Sequence, residues 1–110
     1  MIHVFIVDDH PIFRDGLRVL LNAAPDINVM GEAESGKIAL SQLTDISPDV
    51  VLMDIQMPDE NGIDVTRQLK RRFPQMHVLM LTMFEDDQSV LAAMVAGASG
   101  YVLKLSLIHI

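Results

Sequence analysis

Five polar residues stand at the ends of apolar runs in this 110-residue sequence, and their types fit phosphoryl transfer. They are Asp8, Asp9, Asp54, Thr82 and Lys104. An ionised carboxylate can attack phosphorus directly and become an aspartyl phosphate, so it needs no general base. A metal ion, an ammonium group and a hydroxyl group can each stabilise one oxygen of the transferred group. We therefore expect Asp54 to accept a phosphoryl group, with Lys104 and Thr82 contacting two of its oxygens.

The three aspartates also predict a magnesium site. Each of them taken alone could instead cap a helix or a turn. Carboxylates that lie close together, however, repel one another strongly unless a cation neutralises them. Mg²⁺ is the best candidate because it prefers hard oxygen ligands and keeps several waters that a phosphate can displace. We expect Asp8, Asp9 and Asp54 to hold it.

An alternation of strands and helices would bring these residues together. Apolar runs predict five strands, at residues 2–7, 27–33, 50–54, 77–82 and 100–104. The segments between them predict four helices, because their apolar residues recur at helical spacing. This alternation favours an α/β fold, a flavodoxin-like, doubly wound parallel sheet with strand order 2-1-3-4-5. In that order strands one and three are neighbours, so the strand ends that carry the aspartates would open onto one crevice.

Each of the four predicted helices has an apolar stripe that we expect to be buried. The first helix has Phe13, Leu17, Leu20, Leu21 and Ala24. The second helix has Ala39, Leu40 and Leu43. The third helix has Val65, Leu69 and Phe73. The fourth helix has Val90, Leu91, Met94, Val95 and Ala98.

Composition narrows the class of protein. Fifteen acidic against eight basic side chains give a formal net charge of −7, which argues against binding of nucleic acid or an anionic membrane by this surface. The absence of cysteine excludes disulfides, thiol nucleophiles and zinc–thiolate clusters. No apolar run approaches the roughly 20 residues that span a bilayer, and no secretion signal opens the chain, so we expect a cytoplasmic protein without a membrane partner.

Several motifs, taken in order, resemble the receiver domain of bacterial two-component response regulators. They are VDDHP, VLMDIQMPDENG, the LT that closes the fourth predicted strand, and GYVLK. The DDHP start, LTMFEDD and AGASGYVLK are similar to the NarL/FixJ-type branch. The resemblance covers residues 1–104. It implies a phosphorylation-activated switch, the input part of a transcriptional regulator, whose partners are a sensor histidine kinase and, in some members, a second copy in a homodimer.

The resemblance also implies roles for individual residues. Asp54 would be the phosphoacceptor, with Thr82 and Lys104 sensing the phosphate. The backbone carbonyl of Gln56 would join the aspartates as a metal ligand, and Tyr101 would be the aromatic that swings inward when Thr82 moves. His10 we interpret as a loop residue beside the site, since the donor histidine in this family belongs to the kinase.

After Lys104 the chain departs from the family. The last six residues, 105–110, read LSLIHI, which a transposon-end sequence used in preparing sequencing libraries encodes. We therefore expect a receiver domain over residues 1–104, a non-native, adapter-derived tail over 105–110, and a missing final helix. The alternative is a genuine short apolar tail. DNA binding would require a C-terminal helix-turn-helix domain, which is absent from this sequence.

Two other functions remain open from the residues alone. A magnesium-dependent phosphatase with an aspartyl nucleophile generally carries a second acid two residues later as general acid, and Gln56 cannot do that work. A phosphate-independent binding module would need neither Thr82 nor Lys104. We expect no enzyme beyond a domain that catalyses its own phosphotransfer and dephosphorylation.

Overall fold

A five-stranded parallel sheet lies at the centre of the computed structural model, which describes residues 1–58, 60–82 and 87–104. Its strands are β1 (Ile2–Val7), β2 (Ile27–Ala33), β3 (Val50–Asp54), β6 (His77–Thr82) and β7 (Gly100–Leu103). Two further strands, β4 (Gln56–Met57) and β5 (Glu60–Asn61), form a separate hairpin. The helices are α1 (Pro11–Asn22), α2 (Gly36–Gln42), α3 (Gly62–Arg72) and α4 (Asp87–Ala96).

The order of strands in the large sheet is β2-β1-β3-β6-β7, with every neighbouring pair parallel. This confirms the predicted order 2-1-3-4-5, because β6 and β7 are its fourth and fifth strands. The register pairs Val7 with Met53 and Thr82 with Leu103, so neighbouring strands end at nearly the same level. The carboxyl ends of the strands therefore form one edge of the sheet, and the residues that follow each strand start from that edge.

The short hairpin of β4 and β5 was not predicted from the sequence. Gln56 pairs with Asn61 and Met57 with Glu60 in an antiparallel arrangement. Strands of two residues are too short to show the alternation that identifies longer ones. The hairpin fixes the path of the chain directly after Asp54.

Local chemistry explains where the helices begin. Pro11 occupies the first turn of α1, where its missing N–H is not needed. The backbone N–H of Ile38 donates to Ser35 Oγ at 3.2 Å at the start of α2, and that of Ile63 donates to Asn61 Oδ1 at 2.8 Å at the start of α3. These side chains satisfy amides that have no partner inside the helix.

Two hydrophobic clusters cover the two faces of the sheet. The larger one packs β1, β3 and β6 against α2, α3 and α4, and Val65 and Leu69 of α3 are buried in it as predicted, with Phe73 partly buried. The smaller one has five buried residues: Val4, Ile6, Leu17, Leu52 and Leu81. Within the part of the chain that the structure describes, α1 is the helix that contributes to this smaller cluster. The predicted tail, residues 105–110, lies outside the described residues.

Two predicted helix stripes were partly wrong. In α1, Leu17 is buried, but Leu20 is 38% exposed. In α4, Leu91, Met94 and Val95 are exposed, whereas the small residues Ala93 and Ala96 face the core. Small side chains let α4 approach its neighbours closely, and the spacing of larger residues therefore misidentified the inward face. Ala98, after the helix, is buried as predicted, and the side chain of Val90 lies outside the described part of the structure. No described helix is long and apolar enough to cross a membrane.

Candidate metal and phosphoacceptor site

The ends of β1 and β3 carry two buried carboxylates. Asp8 has no exposed surface, and its backbone N–H donates to Ala33 O at 3.1 Å, which extends the pairing of β1 with β2 by one residue. Asp54 is the last residue of β3 and is 2% exposed. The Asp9 side chain is 21% exposed and lies at the rim. Strand pairing thus fixes the backbone of both buried acids.

The structure brings the three predicted carboxylates together. One oxygen each from Asp8, Asp9 and Asp54, together with a ring nitrogen of His10, lie within 4.8 Å of one another. A cluster of that size can surround a single cation with oxygen ligands. The three carboxylate oxygens therefore fit a hard divalent ion such as Mg²⁺.

Lys104 enters the same cluster from the end of β7. Its Nζ lies 2.7 Å from Asp8 Oδ2 and 3.2 Å from Asp54 Oδ2, and the side chain is 3% exposed. The ammonium group also lies 4.8 Å from the centre of the Phe13 ring, a cation–π contact. One buried ammonium group therefore faces two buried carboxylates, and part of their negative charge stays uncompensated.

Burial raises the pKa of Asp54 to about 6. The charge of Lys104 opposes this shift, the charge of Asp8 adds to it, and a hydrogen bond from the Gln56 N–H to Asp54 Oδ1, at 3.1 Å, again lowers the pKa. Asp54 Oδ2 is screened from solvent, and the ammonium group of Lys104 that it faces at 3.2 Å is shared with Asp8. Desolvation without full pairing makes this carboxylate costly to ionise, and an added cation would relieve that cost.

The loop after β3 lies tightly against the backbone of Asp54. The Gly62 N–H donates to Ile55 O at 2.9 Å, and a Cβ at Gly62 would collide with the backbone carbonyl of Asp54. Gln56 presents its amide to Asp54, while its side chain is exposed. Glycine is therefore needed at position 62 for close backbone approach.

Thr82 and Tyr101 occupy different surroundings. Thr82 ends β6 and is 7% exposed. It pairs in register with Leu103 of the neighbouring strand, the residue directly before Lys104. Tyr101 lies in β7 opposite Met80 and is 36% exposed. The structure thus places Thr82 at the edge that carries the acids, and Tyr101 on the outer strand with its side chain partly at the surface.

Two residues near the site, Arg14 and Glu60, were missed from sequence, and His10 lies beside the site as predicted. Arg14 Nη1 donates to the backbone carbonyl of Asp8 at 2.6 Å, and its Nε donates to Glu32 at 3.2 Å. Glu60 accepts hydrogen bonds from the amides of residues 36 and 37, at 2.7 and 3.0 Å. His10 Nδ1 lies 3.0 Å from Asp8 Oδ1. Of the residues that were missed, only Arg14 could have been found from the sequence, because it lies one turn into a helix that follows an acidic loop.

Comparison with known proteins gives a consistent result. Residues 4–107 match the response regulator receiver domain family. The DNA-binding transcriptional activator DevR/DosR of Mycobacterium tuberculosis is 45% identical over 104 residues, which are 94% of this chain and 48% of that protein. The chain spans about half the length of the curated relatives it matches.

Solved structures show the same architecture. A two-component response regulator of the LuxR family from Aurantimonas sp. SI85-9A1 superposes with a TM-score of 0.90 at 34% identity, covering 99% of this chain and 81% of that one. The isolated receiver domain of RcsB from Salmonella enterica serovar Typhimurium, with the phosphomimetic BeF3⁻, gives a TM-score of 0.86 at 32% identity, covering 94% and 78%. Similarity at this level extends through the strand ends described above.

Proposed function

Because this chain belongs to the response regulator receiver domain family, we propose that it is a phosphorylation-activated switch in which Asp54 accepts a phosphoryl group from a sensor histidine kinase. The observation that supports this most directly is the burial of Asp54 at 3.2 Å from Lys104, beside Asp8. The relatives that match this sequence are response regulators and transcriptional regulators.

The transfer needs little from the protein besides position and charge. A carboxylate oxygen of Asp54 forms a bond to phosphorus as the bond from phosphorus to the imidazole nitrogen of the donor breaks, and its electron pair stays on that nitrogen. The Lys104 ammonium, held at the carboxylates by its 2.7 and 3.2 Å contacts, stabilises the transferred oxygens. The Thr82 hydroxyl, at the end of the neighbouring strand, is assigned another of them.

Asp8, Asp9, Asp54 and the backbone carbonyl of Gln56 would hold Mg²⁺. The bound ion supplies positive charge to the transferred phosphoryl group. The carboxylates contribute their position, because strand pairing fixes the backbone of Asp8 and Asp54 before any donor arrives. The receiver structure of RcsB was solved with a phosphomimetic, which supports a similar use of the edge here.

The response to phosphate is assigned to Thr82 and Tyr101. Movement of Thr82 toward a phosphoryl group would vacate space near β7, and the partly exposed Tyr101 ring would then move inward. A ligand shifts such an equilibrium only by its differential affinity for the two states. The surface of α4 and β7 would change shape and present a different face to a partner.

The wider role follows from the family. We assign the chain to a two-component system as the receiver domain, residues 1–104, of a cytoplasmic transcriptional regulator, able to form a homodimer and acting on DNA through a C-terminal helix-turn-helix domain. Its catalysis would be limited to its own phosphotransfer and dephosphorylation. Gln56, an exposed amide where a phosphatase of this chemistry would carry an acid, argues against that alternative.

Incubation with Mg²⁺ and a small acyl phosphate tests the proposal. We expect intact-mass spectrometry to show one added phosphoryl group on the native chain and none on Asp54→Asn. Asp49→Asn, a matched change at the opposite edge of the sheet, should keep the uptake. Label on Asp54→Asn would contradict the assignment, and rapid release of phosphate over many turnovers would instead support a phosphatase.

A further inference from the structure

We propose that Phe13 is a positioning residue for phosphoryl transfer, because the face of its ring holds the Lys104 ammonium group beside Asp54. This inference rests on the proposed function, since it takes Lys104 as the group that stabilises the transferred oxygens. It adds an aromatic side chain of α1, which reaches the reaction only through Lys104 and needs no contact with the phosphoryl group.

The Phe13 ring forms the apolar side of the surroundings of Lys104. The ammonium Nζ lies 4.8 Å from the ring centre, within the distance at which the negative face of an aromatic ring attracts a cation. The Lys104 side chain is 3% exposed, so little water competes for its charge. A cation–π contact is strongest when it is removed from water in this way.

The polar contacts of the ammonium group cannot all persist during the transfer. Nζ lies 2.7 Å from Asp8 Oδ2, 3.2 Å from Asp54 Oδ2 and 3.4 Å from His10 Nδ1. When an oxygen of Asp54 becomes bonded to phosphorus, Lys104 must turn from that carboxylate to a phosphoryl oxygen. The Phe13 ring attracts the ammonium group throughout. It carries no acceptor oxygen, so it does not compete with the phosphoryl group for an N–H.

The packing of α1 fixes the ring in place. Phe13 is partly buried and packs against the smaller hydrophobic cluster on the α1 side of the sheet. Arg14, the next residue, joins the helix to the end of β1, because its Nη1 donates to Asp8 O at 2.6 Å. Its backbone N–H donates to His10 O at 2.9 Å. The ring is therefore positioned beside Lys104 before a phosphoryl donor arrives.

Phe73 offers a matched control on the other face of the sheet. It follows α3, is also partly buried, and its ring centre lies 5.5 Å from the guanidinium carbon of Arg72. It packs against the larger hydrophobic cluster, and Arg72 is exposed. A change in the charge of this ring should therefore leave phosphoryl transfer unchanged.

Fluorination of single rings tests the proposal. Fluorine withdraws negative charge from the ring face and changes the ring's size little, whereas Phe13→Leu would alter the packing as well. We would replace Phe13 by phenylalanine with one, two or three ring fluorines and follow phosphorylation by acetyl phosphate with Mg²⁺. The rate should fall with each fluorine, to about one tenth of the native rate with three. The same replacements at Phe73 should keep the rate within about twofold of native.

Two further measurements distinguish positioning of Lys104 from damage to the site. Fluorination leaves the carboxylates in place, so the Kd for Mg²⁺ should stay within about twofold of native throughout the Phe13 series. In Lys104→Met the rate is lower at the outset, and fluorination of Phe13 should lower it no further. The two changes remove the same contact, so their effects should not add.

The outcomes separate this inference from the proposed function. A native rate throughout the Phe13 series would overturn the role of Phe13 and leave the phosphorylation of Asp54 intact. A fall in rate that accompanies weaker Mg²⁺ binding, or that persists in Lys104→Met, would also overturn it, because the ring would then act through packing. Failure of the native chain to take up a phosphoryl group would overturn the proposed function, and this inference with it.

Discussion

Two aspartates at opposite ends of β3 show how differently one side chain can be used. Asp49 lies just before the strand, is exposed, and its Oδ2 accepts a hydrogen bond from the His3 N–H at 2.8 Å. Asp54 ends the strand, is buried, and its Oδ2 lies 3.2 Å from Lys104 Nζ, which also contacts Asp8 at 2.7 Å. The amino edge of the sheet thus gives its acid a backbone amide of its own, whereas at the carboxyl edge two buried acids share one ammonium group.

The backbone at the amino edge strengthens this contrast. The Asp49 N–H donates to His3 O at 2.8 Å, and the His77 N–H donates to Asp49 O at 3.2 Å, so this residue links β1 and β6 across β3. The role of Asp49 is therefore structural, because it joins neighbouring strands. Asp54 is positioned by the same sheet but left electrostatically unfavourable. Stability is lower where chemistry requires a reactive group, and functional sites commonly show this conflict.

The largest expected effect concerns the stability of the two aspartate variants. With a folded pKa of about 6 against the ordinary value of 3.8, ionisation of Asp54 is less favourable in the folded chain. Removing the charge in Asp54→Asn should therefore raise the free energy of unfolding at pH 7, without divalent ions, by up to about 3 kcal/mol. Asp49→Asn should give no gain.

The pH dependence gives the sign of this effect. A group whose folded pKa is raised holds its proton more tightly in the native state, so its favourable contribution is present below about pH 4 and is lost as the pH rises to about 6. Urea unfolding at pH 4 and pH 7 should show Asp54→Asn gaining on the native chain across that interval. A constant difference between the two chains would show that burial does not perturb Asp54.

Much of this edge was predictable because it depends on simple patterns. Asp54 follows an uninterrupted apolar run, and parallel strands bring such ends to one side, so the meeting of Asp8 and Asp54 followed from the sequence. The hairpin of β4 and β5 did not, since strands of two residues have no period. The contact of Glu60 with the start of α2 joins residues 24 apart and left no local signal.

Gly62 and Gly16 differ in the space that surrounds them. At Gly62 a Cβ would meet the backbone carbonyl of Asp54, whereas at Gly16, exposed in α1, it would meet nothing within 4 Å. Gly62→Ala should therefore lower the free energy of unfolding by about 2 kcal/mol, as overpacking does, and should weaken Mg²⁺ binding by displacing Asp54. Gly16→Ala should instead raise the free energy of unfolding by about 0.5–1 kcal/mol, because alanine favours the helix.

Thermal unfolding with and without Mg²⁺ measures both effects. The stabilisation by the ion should shrink in Gly62→Ala and stay unchanged in Gly16→Ala. Equal stability of Gly62→Ala and the native chain would mean that the loop after β3 can move away from Asp54 freely, and the tight approach would then have no role in placing the carboxylate.

The smallest expected difference concerns two arginines that share Glu32. Arg14 Nε and Arg18 Nη1 lie 3.2 and 2.8 Å from its two carboxylate oxygens, but of the two only Arg14 is seen to donate to the backbone carbonyl of Asp8. Arg14→Met should cost about 1 kcal/mol of stability by removing that partly buried hydrogen bond. It should also weaken Mg²⁺ binding several-fold, because Asp8 loses one of the groups that fix its backbone. Arg18→Met removes the other ion pair of Glu32 without touching Asp8, so isothermal titration with Mg²⁺ should return the native Kd. Equal weakening by both changes would assign the effect to Glu32 and the packing of α1 on β2, and the carboxyl edge would then depend on its strands alone.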